Sequence, residues 1–129
     1  MTLNQQAARM IQDREIDLAE LIVAQQYAQQ PEIWSRFGEA GRKKSVRDAG
    51  YHLSYLAQAL MAGDPTLLTE YIAWVHSLFV NLAFPAKVLT TTLKCTQEAI
   101  QETFPSELAS LACEYIERSL DQLSQHTPL

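Results

Sequence analysis

Apolar residues recur at three- and four-residue spacing along nearly the whole chain, and no segment sustains the alternation of a half-buried strand. The pattern predicts an early helix over residues 13–29, followed by a short segment that begins at Pro31. A central helix is predicted over residues 42–62, because its apolar positions form one continuous stripe: Val46, Ala49, Leu53, Leu56, Ala57 and Leu60.

Glycine and proline mark where the later helices begin and end. Gly63 is a natural helix stop, Asp64 can cap the next helix, and Pro65 fits its first position, where a missing N–H costs nothing. Pro85 and Pro105 open two further helices. The sequence therefore predicts a compact all-α bundle of about six helices.

The 129 residues contain no internal repeat, low-complexity segment or linker, so one domain over residues 1–129 is expected. Residues 1–12 are few and polar, and residues 125–129 are polar and contain proline. Both ends are therefore predicted to be peripheral.

Charge and hydropathy exclude several partners. The net charge of -5 argues against nucleic acid, which needs clustered Lys and Arg. No apolar stretch approaches the roughly 20 residues of a membrane helix, so membrane insertion is not expected. The N-terminus lacks a basic region followed by an apolar core, and Cys95 and Cys113 match no metal spacing. A reduced, cytoplasmic protein is predicted.

Motifs that carry enzyme chemistry are missing from the sequence. It contains no Gly-rich phosphate loop after a strand, no HExxH, no CxxC and no nucleophile elbow. Acidic pairs at helical spacing, such as Glu98 with Glu102, are typical of a solvated helix face. We therefore expect a protein that is not an enzyme.

One segment resembles a known family. Residues 45–55 read Ser-Val-Arg-Asp-Ala-Gly-Tyr-His-Leu-Ser-Tyr and lead to Gly63-Asp64-Pro65, which is similar to the central helix of phycobiliprotein subunits, the bilin-carrying antenna proteins of cyanobacteria. Leu82-Ala83-Phe84-Pro85 and the segment around Glu114-Tyr115 resemble later family motifs in the same order. The resemblance extends over residues 31–123 and implies a globin-like, phycobiliprotein-like helical fold.

The resemblance also implies a ligand groove. In the family, the aspartate matching Asp48 accepts hydrogen bonds from pyrrole nitrogens, and the arginine matching Arg47 pairs with a propionate, as their chemistry allows. Ser45, Asp48, His52 and Tyr55 share one stripe of the helix and could line a non-covalent bilin groove with Arg47. The other reading is that Arg47 and Asp48 are solvated or paired with a neighbouring helix.

Three departures from the family pattern change the expected function. Ser45 replaces the cysteine that forms the thioether, and an alkoxide is not accessible near neutral pH as a thiolate is. The loop at residues 38–44, which helps to enclose the bilin in the family, is short. The N-terminal helical hairpin that joins α and β subunits in the family is expected to be missing. No covalent cofactor and no antenna ring are therefore expected.

These observations favour a regulatory or protein-interaction module that binds a protein partner or forms a homodimer, with Trp34, Phe37 and Phe79 as candidate anchors. The alternative is a carrier or sensor that binds bilin, or another tetrapyrrole, non-covalently. Axial haem ligation by His52 and His76 is a further alternative, as is an unrelated helical sensor or cap domain.

Overall fold

The computed structural model describes residues 1–126, and within that range the chain is helical with no strand. The helices, in chain order, are α1 (Leu3–Asp13), α2 (Glu15–Gln29), α3 (Pro31–Trp34), α4 (Gly38–Ala62), α5 (Thr66–Asn81), α6 (Ala86–Thr103) and α7 (Ser106–His126), with a 3-10 turn (Ser35–Phe37) before α4. Six of these helices are long, so the predicted all-α bundle of about six helices is confirmed.

The central helix α4 holds the bundle together. It packs against α1, α2, α5 and α7, while α2 and α7 also contact α6. The predicted apolar stripe of α4 faces this core, and Leu53, Leu56 and Leu60 are almost completely buried. The helices therefore pack around one shared core, to which all six long helices contribute.

The exit from α4 follows the predicted chemistry. Gly63 has a φ of 66°, its N–H bonds to the Leu60 carbonyl, and the Asp64 N–H bonds to the Ala59 carbonyl. The Asp64 carboxylate then accepts hydrogen bonds from the hydroxyl and the backbone N–H of Thr66, at 2.7 and 3.0 Å. These bonds satisfy free backbone groups at the end of one helix and the start of the next.

The start of α4 differs from the prediction. The helix begins at Gly38 rather than at residue 42, so residues 38–44 are its first turns and not a loop. Gly41 makes this possible, because a side chain there would overlap the Cβ of Phe37, which folds back over the first turn. Gly41 therefore serves close packing at the start of the helix.

The expectation that residues 1–12 are peripheral is wrong for most of that segment. Ala7, Ala8 and Ile11 of α1 are fully buried, and α1 packs against α4 and α7. A capping box between Thr2 and Gln5 starts the helix. These three residues are enough to pack α1 into the core, because alanine lets two helix backbones approach closely. Of the C-terminal residues 125–129, Gln125 is exposed in α7, and residues 127–129 lie outside the described range.

Two isoleucines test the structural role of α1 with the same chemical change. We expect Ile11→Ala to lower the free energy of unfolding by about 2–5 kcal/mol, because it empties a fully buried position. Ile16→Ala on α2 removes a side chain that is 75% exposed and is expected to change it by less than about 0.5 kcal/mol. Urea denaturation measures both; equal effects would contradict a core role for α1.

Candidate functional site

Two of the predicted site residues meet a tyrosine that the sequence interpretation did not assign to the site. His52 and Tyr55 lie on α4, and Tyr71 lies opposite them on α5. The His52 Nδ1 atom is 2.7 Å from the Tyr71 hydroxyl oxygen. The rings of Tyr55 and Tyr71 stack with centroids 3.9 Å apart and planes inclined by 9°. Tyr71 is therefore held on two sides by α4.

Burial fixes the protonation of this pair. It lowers the pKa of His52 from 6.5 to about 4, so the ring is neutral near pH 7. Burial also raises the pKa of the Tyr71 hydroxyl, with smaller contributions from Tyr55, Asp48 and Tyr51. Tyr71 therefore keeps its proton and can donate it in a hydrogen bond to a neutral His52 Nδ1.

Arg47 and Asp48 point to solvent. Their side chains are 57% and 50% exposed, and their nearest charged atoms are 3.5 Å apart. The Arg47 guanidinium also lies 6.0 Å from the centre of the Tyr51 ring. An ion pair this exposed contributes about 0–1 kcal/mol to stability. Both charges are thus presented at the surface beside the aromatic rings.

Ser45 is occupied within its own helix. Its hydroxyl donates a hydrogen bond to the Gly41 carbonyl, one turn earlier, with an oxygen–oxygen distance of 3.0 Å. The five predicted site residues therefore form no single enclosed pocket. His52 and Tyr55 contact Tyr71, Arg47 and Asp48 face solvent, and Ser45 bonds to the backbone. Two shallow concavities of the surface lie elsewhere, between α6 and α7 and between α1 and the end of α4.

The described residues offer little support for metal or thiol chemistry. Within the described residues, no group of three His, Cys, Asp or Glu side chains could hold a metal ion. Cys95 and Cys113 are free and buried, and burial raises the pKa of both thiols to about 11. Because a reactive cysteine needs an accessible thiolate, both behave as small hydrophobic residues.

Helix α5 carries two apolar stripes, one buried and one exposed. Leu68, Ile72 and Val75 are buried against the core. The second stripe, which we call the outer stripe, faces solvent beside Tyr51 and Tyr55 of α4. It consists of Leu67, Tyr71, Trp74 and Leu78.

We call these six residues together the α4–α5 aromatic face. Its most exposed ring is Trp74, which is 59% exposed and lies 6.3 Å from Tyr71 between ring centroids. Tyr51 and Tyr55 are also exposed. The four-and-three spacing of the outer stripe is the signal in the sequence that could have revealed it.

The anchors suggested by the sequence lie in a different cluster. Trp34 is half-buried, with Tyr27 on one side and Phe37 on the other. Phe79 packs on the core and contacts Phe84. Only Phe37 of the three suggested anchors is exposed, and only partly. These rings mainly join α2, the 3-10 turn and α5 to each other.

Comparison with known proteins places the chain in a family. The phycobilisome protein family matches residues 2–123, so the chain belongs to that family. Phycobiliprotein ApcE of Aglaothamnion neglectum is 32% identical over 75 residues, which cover 58% of this chain and 8% of that protein. The chain thus matches less than a tenth of the length of this relative.

The family match confirms the resemblance and the globin-like fold that it implies. It begins at residue 2 rather than near Pro31, so α1 and α2 belong to the family region. Proteins of the phycobilisome are light-harvesting structural proteins that assemble with other subunits. Within residues 1–126, no helix is long and apolar enough to cross a membrane.

The lowered pKa of His52, which is partly buried, predicts a specific pH dependence. Its pKa is about 4 in the folded protein and near 6.5 when unfolded, so the unfolded chain binds the proton first. His52 therefore contributes stability above pH 6.5 that is lost as the pH falls towards 4, by at most about 1.4 kcal/mol per pH unit.

Urea denaturation at pH 7 and pH 5 measures this contribution. The loss of stability between the two values should be smaller in His52→Gln than in the natural protein, because glutamine does not titrate. An equal loss in both proteins would show that His52 is not buried as described.

Proposed function

We propose that this protein is a non-enzymatic, regulatory interaction module of the phycobilisome, which docks a protein partner through the α4–α5 aromatic face and carries no covalent bilin. In this proposal it acts in the cytoplasm as a single domain. The observation that supports it best is Trp74, a tryptophan 59% exposed that is the most exposed ring of a contiguous aromatic surface. Exposed apolar patches of this kind mark interaction sites in soluble proteins.

The chemistry of the face suits protein contact. Glu70 is the only Asp, Glu, Lys or Arg in α5, so covering the helix removes few charges from water. Tryptophan and tyrosine are the side chains that most often dominate binding energy at interfaces. Tyr71 is already held by His52 and Tyr55, so less conformational entropy is lost when a partner binds.

The residues around Ser45 support the absence of a covalent pigment. The hydroxyl is no substitute for a thiol, and it is engaged by the Gly41 carbonyl. Residues 38–44, which would enclose a pigment as a loop, are helical here. A bilin on this face would therefore lie on an open surface.

Non-covalent bilin binding is the second candidate, and one observation favours it. The Asp48 carboxylate is half-exposed and lies close enough to Tyr71 to influence its hydroxyl. An open-chain tetrapyrrole could stack on the aromatic rings and donate its pyrrole N–H groups to this carboxylate.

Hydroxyl-radical footprinting with mass spectrometry tests the docking face. We expect the oxidation rate of Trp74 in dilute protein to fall severalfold when purified phycobilisomes are added or when the protein itself is concentrated. Ile16, which is 75% exposed on α2, is the internal reference and should keep its rate. Unchanged Trp74 oxidation in both titrations would overturn the proposed function.

Adding phycocyanobilin separates the two candidates. We expect the spectrum of the free pigment to persist and no pigment to remain on the polypeptide after acid denaturation. A red-shifted band would instead establish the non-covalent bilin site if Asp48→Ala abolished it. The control variant Asp121→Ala, at an exposed position of α7, should leave that band intact. Pigment retained after denaturation would contradict both candidates.

A further inference from the structure

We propose that the partner that covers the α4–α5 aromatic face is a second copy of this chain, with its α5 packed antiparallel to α5 of the first copy. This inference rests on the proposed function and names the partner at the same face. It is carried by the order and spacing of the side chains in the outer stripe.

The spacing of the outer stripe is that of a helix-pairing seam. Leu67, Tyr71, Trp74 and Leu78 follow one another by four, three and four residues, the repeat by which two helices keep their apolar side chains in contact. The buried stripe of α5 already packs on the core. The outer stripe is thus a second apolar seam, in which Tyr71 rests on α4 while Leu67, Trp74 and Leu78 remain exposed.

The stripe is also chemically symmetric when its direction is reversed. Read from either end, it presents a leucine, an aromatic residue, an aromatic residue and a leucine. A two-fold axis between residues 72 and 73 pairs Leu67 with Leu78 of the second copy, and Tyr71 with Trp74 of the second copy. A two-fold interface requires a patch that complements itself in this way.

Charge does not oppose this arrangement. Glu70 is the only formal charge on α5. In the antiparallel register the two copies of Glu70 are five residues apart along the helix axes, or about 7.5 Å. Their carboxylates therefore do not meet at the centre of the interface, and the central contacts are made by uncharged side chains.

The size of the face also fits a dimer. Leu67 and Leu78 are 40% and 38% exposed, and Trp74 is 59% exposed. Since an aromatic side chain has an area of about 150–250 Å², the six side chains of the face expose on the order of 500 Å². That is more than half of the roughly 800 Å² per partner in a standard interface, and the polar rim would supply the rest.

Sedimentation equilibrium tests the inference. We expect the natural protein to be a dimer that dissociates on dilution. Leu67→Lys and Leu78→Glu should each be monomers, because each places a charge at both ends of the seam. Ile16→Glu also replaces an exposed apolar side chain by a charged one, but it lies on α2. This control variant should remain a dimer.

Mixing the variants tests the register itself. Equal amounts of L67K and L78E should form a heterodimer, because one contact then joins the lysine to the glutamate and the other keeps two leucines. A mixture of L67K with L67E carries the same charges, but the antiparallel register does not bring them together, so it should stay monomeric. Rescue of that second mixture instead would show a parallel arrangement and contradict the proposal.

The outcomes distinguish this inference from the proposed function. A natural protein that is monomeric at its highest soluble concentration, but whose Trp74 is protected by phycobilisomes, overturns the second copy and leaves the docking face standing. A dimer that survives both L67K and L78E also overturns it. Circular dichroism and the midpoint of urea denaturation show whether each variant is folded, and Trp74→Ala provides a variant that adds no charge.

Discussion

The packing of α4 against its neighbours is the interaction on which the rest of the structure depends. One face of this helix carries Leu53, Leu56 and Leu60 into the core, where α1, α2, α5 and α7 meet it. Because that face is fully used, the opposite side of α4 is left for polar and aromatic residues. The position of the candidate site is therefore a consequence of how the core is built.

The contact between α4 and α5 connects the core to the surface. The buried stripe of α5 sets the height and rotation of that helix, and this rotation brings Tyr71 over His52 and Tyr55. The same rotation turns Trp74 outward. An exposed aromatic surface is thus built on two packed helices rather than on a loop, which gives it a defined shape for a partner to recognise.

Local chemistry made part of the fold predictable from sequence. The turn at Gly63 and Asp64 was predictable because a left-handed glycine and a capping carboxylate act on their immediate neighbours. The role of α1 was not, since its polar composition conceals how well Ala7, Ala8 and Ile11 fit between two other helices. The start of α4 at Gly38 depends on contact with Phe37, which the spacing of apolar residues does not report.

The candidate site was likewise only partly predictable from the sequence. The motif around Arg47 and Asp48 pointed to the correct family, but motif matching does not reveal that both side chains face solvent. Periodicity identified α5 as apolar without separating its inner stripe from its outer one. When both faces of a helix are apolar, only the packed structure shows which residues remain exposed, and Trp74 is the main example here.

If protein covers the α4–α5 aromatic face, Trp74 is shielded from water in the assembled state. The fluorescence of Trp74, measured alone in a Trp34→Phe background, tests it most directly. We expect a short-wavelength emission maximum at high protein concentration, which moves to longer wavelength on dilution as the face becomes exposed to water. An emission maximum typical of a solvated tryptophan at every concentration, together with unchanged Trp74 oxidation when phycobilisomes are added, would contradict it.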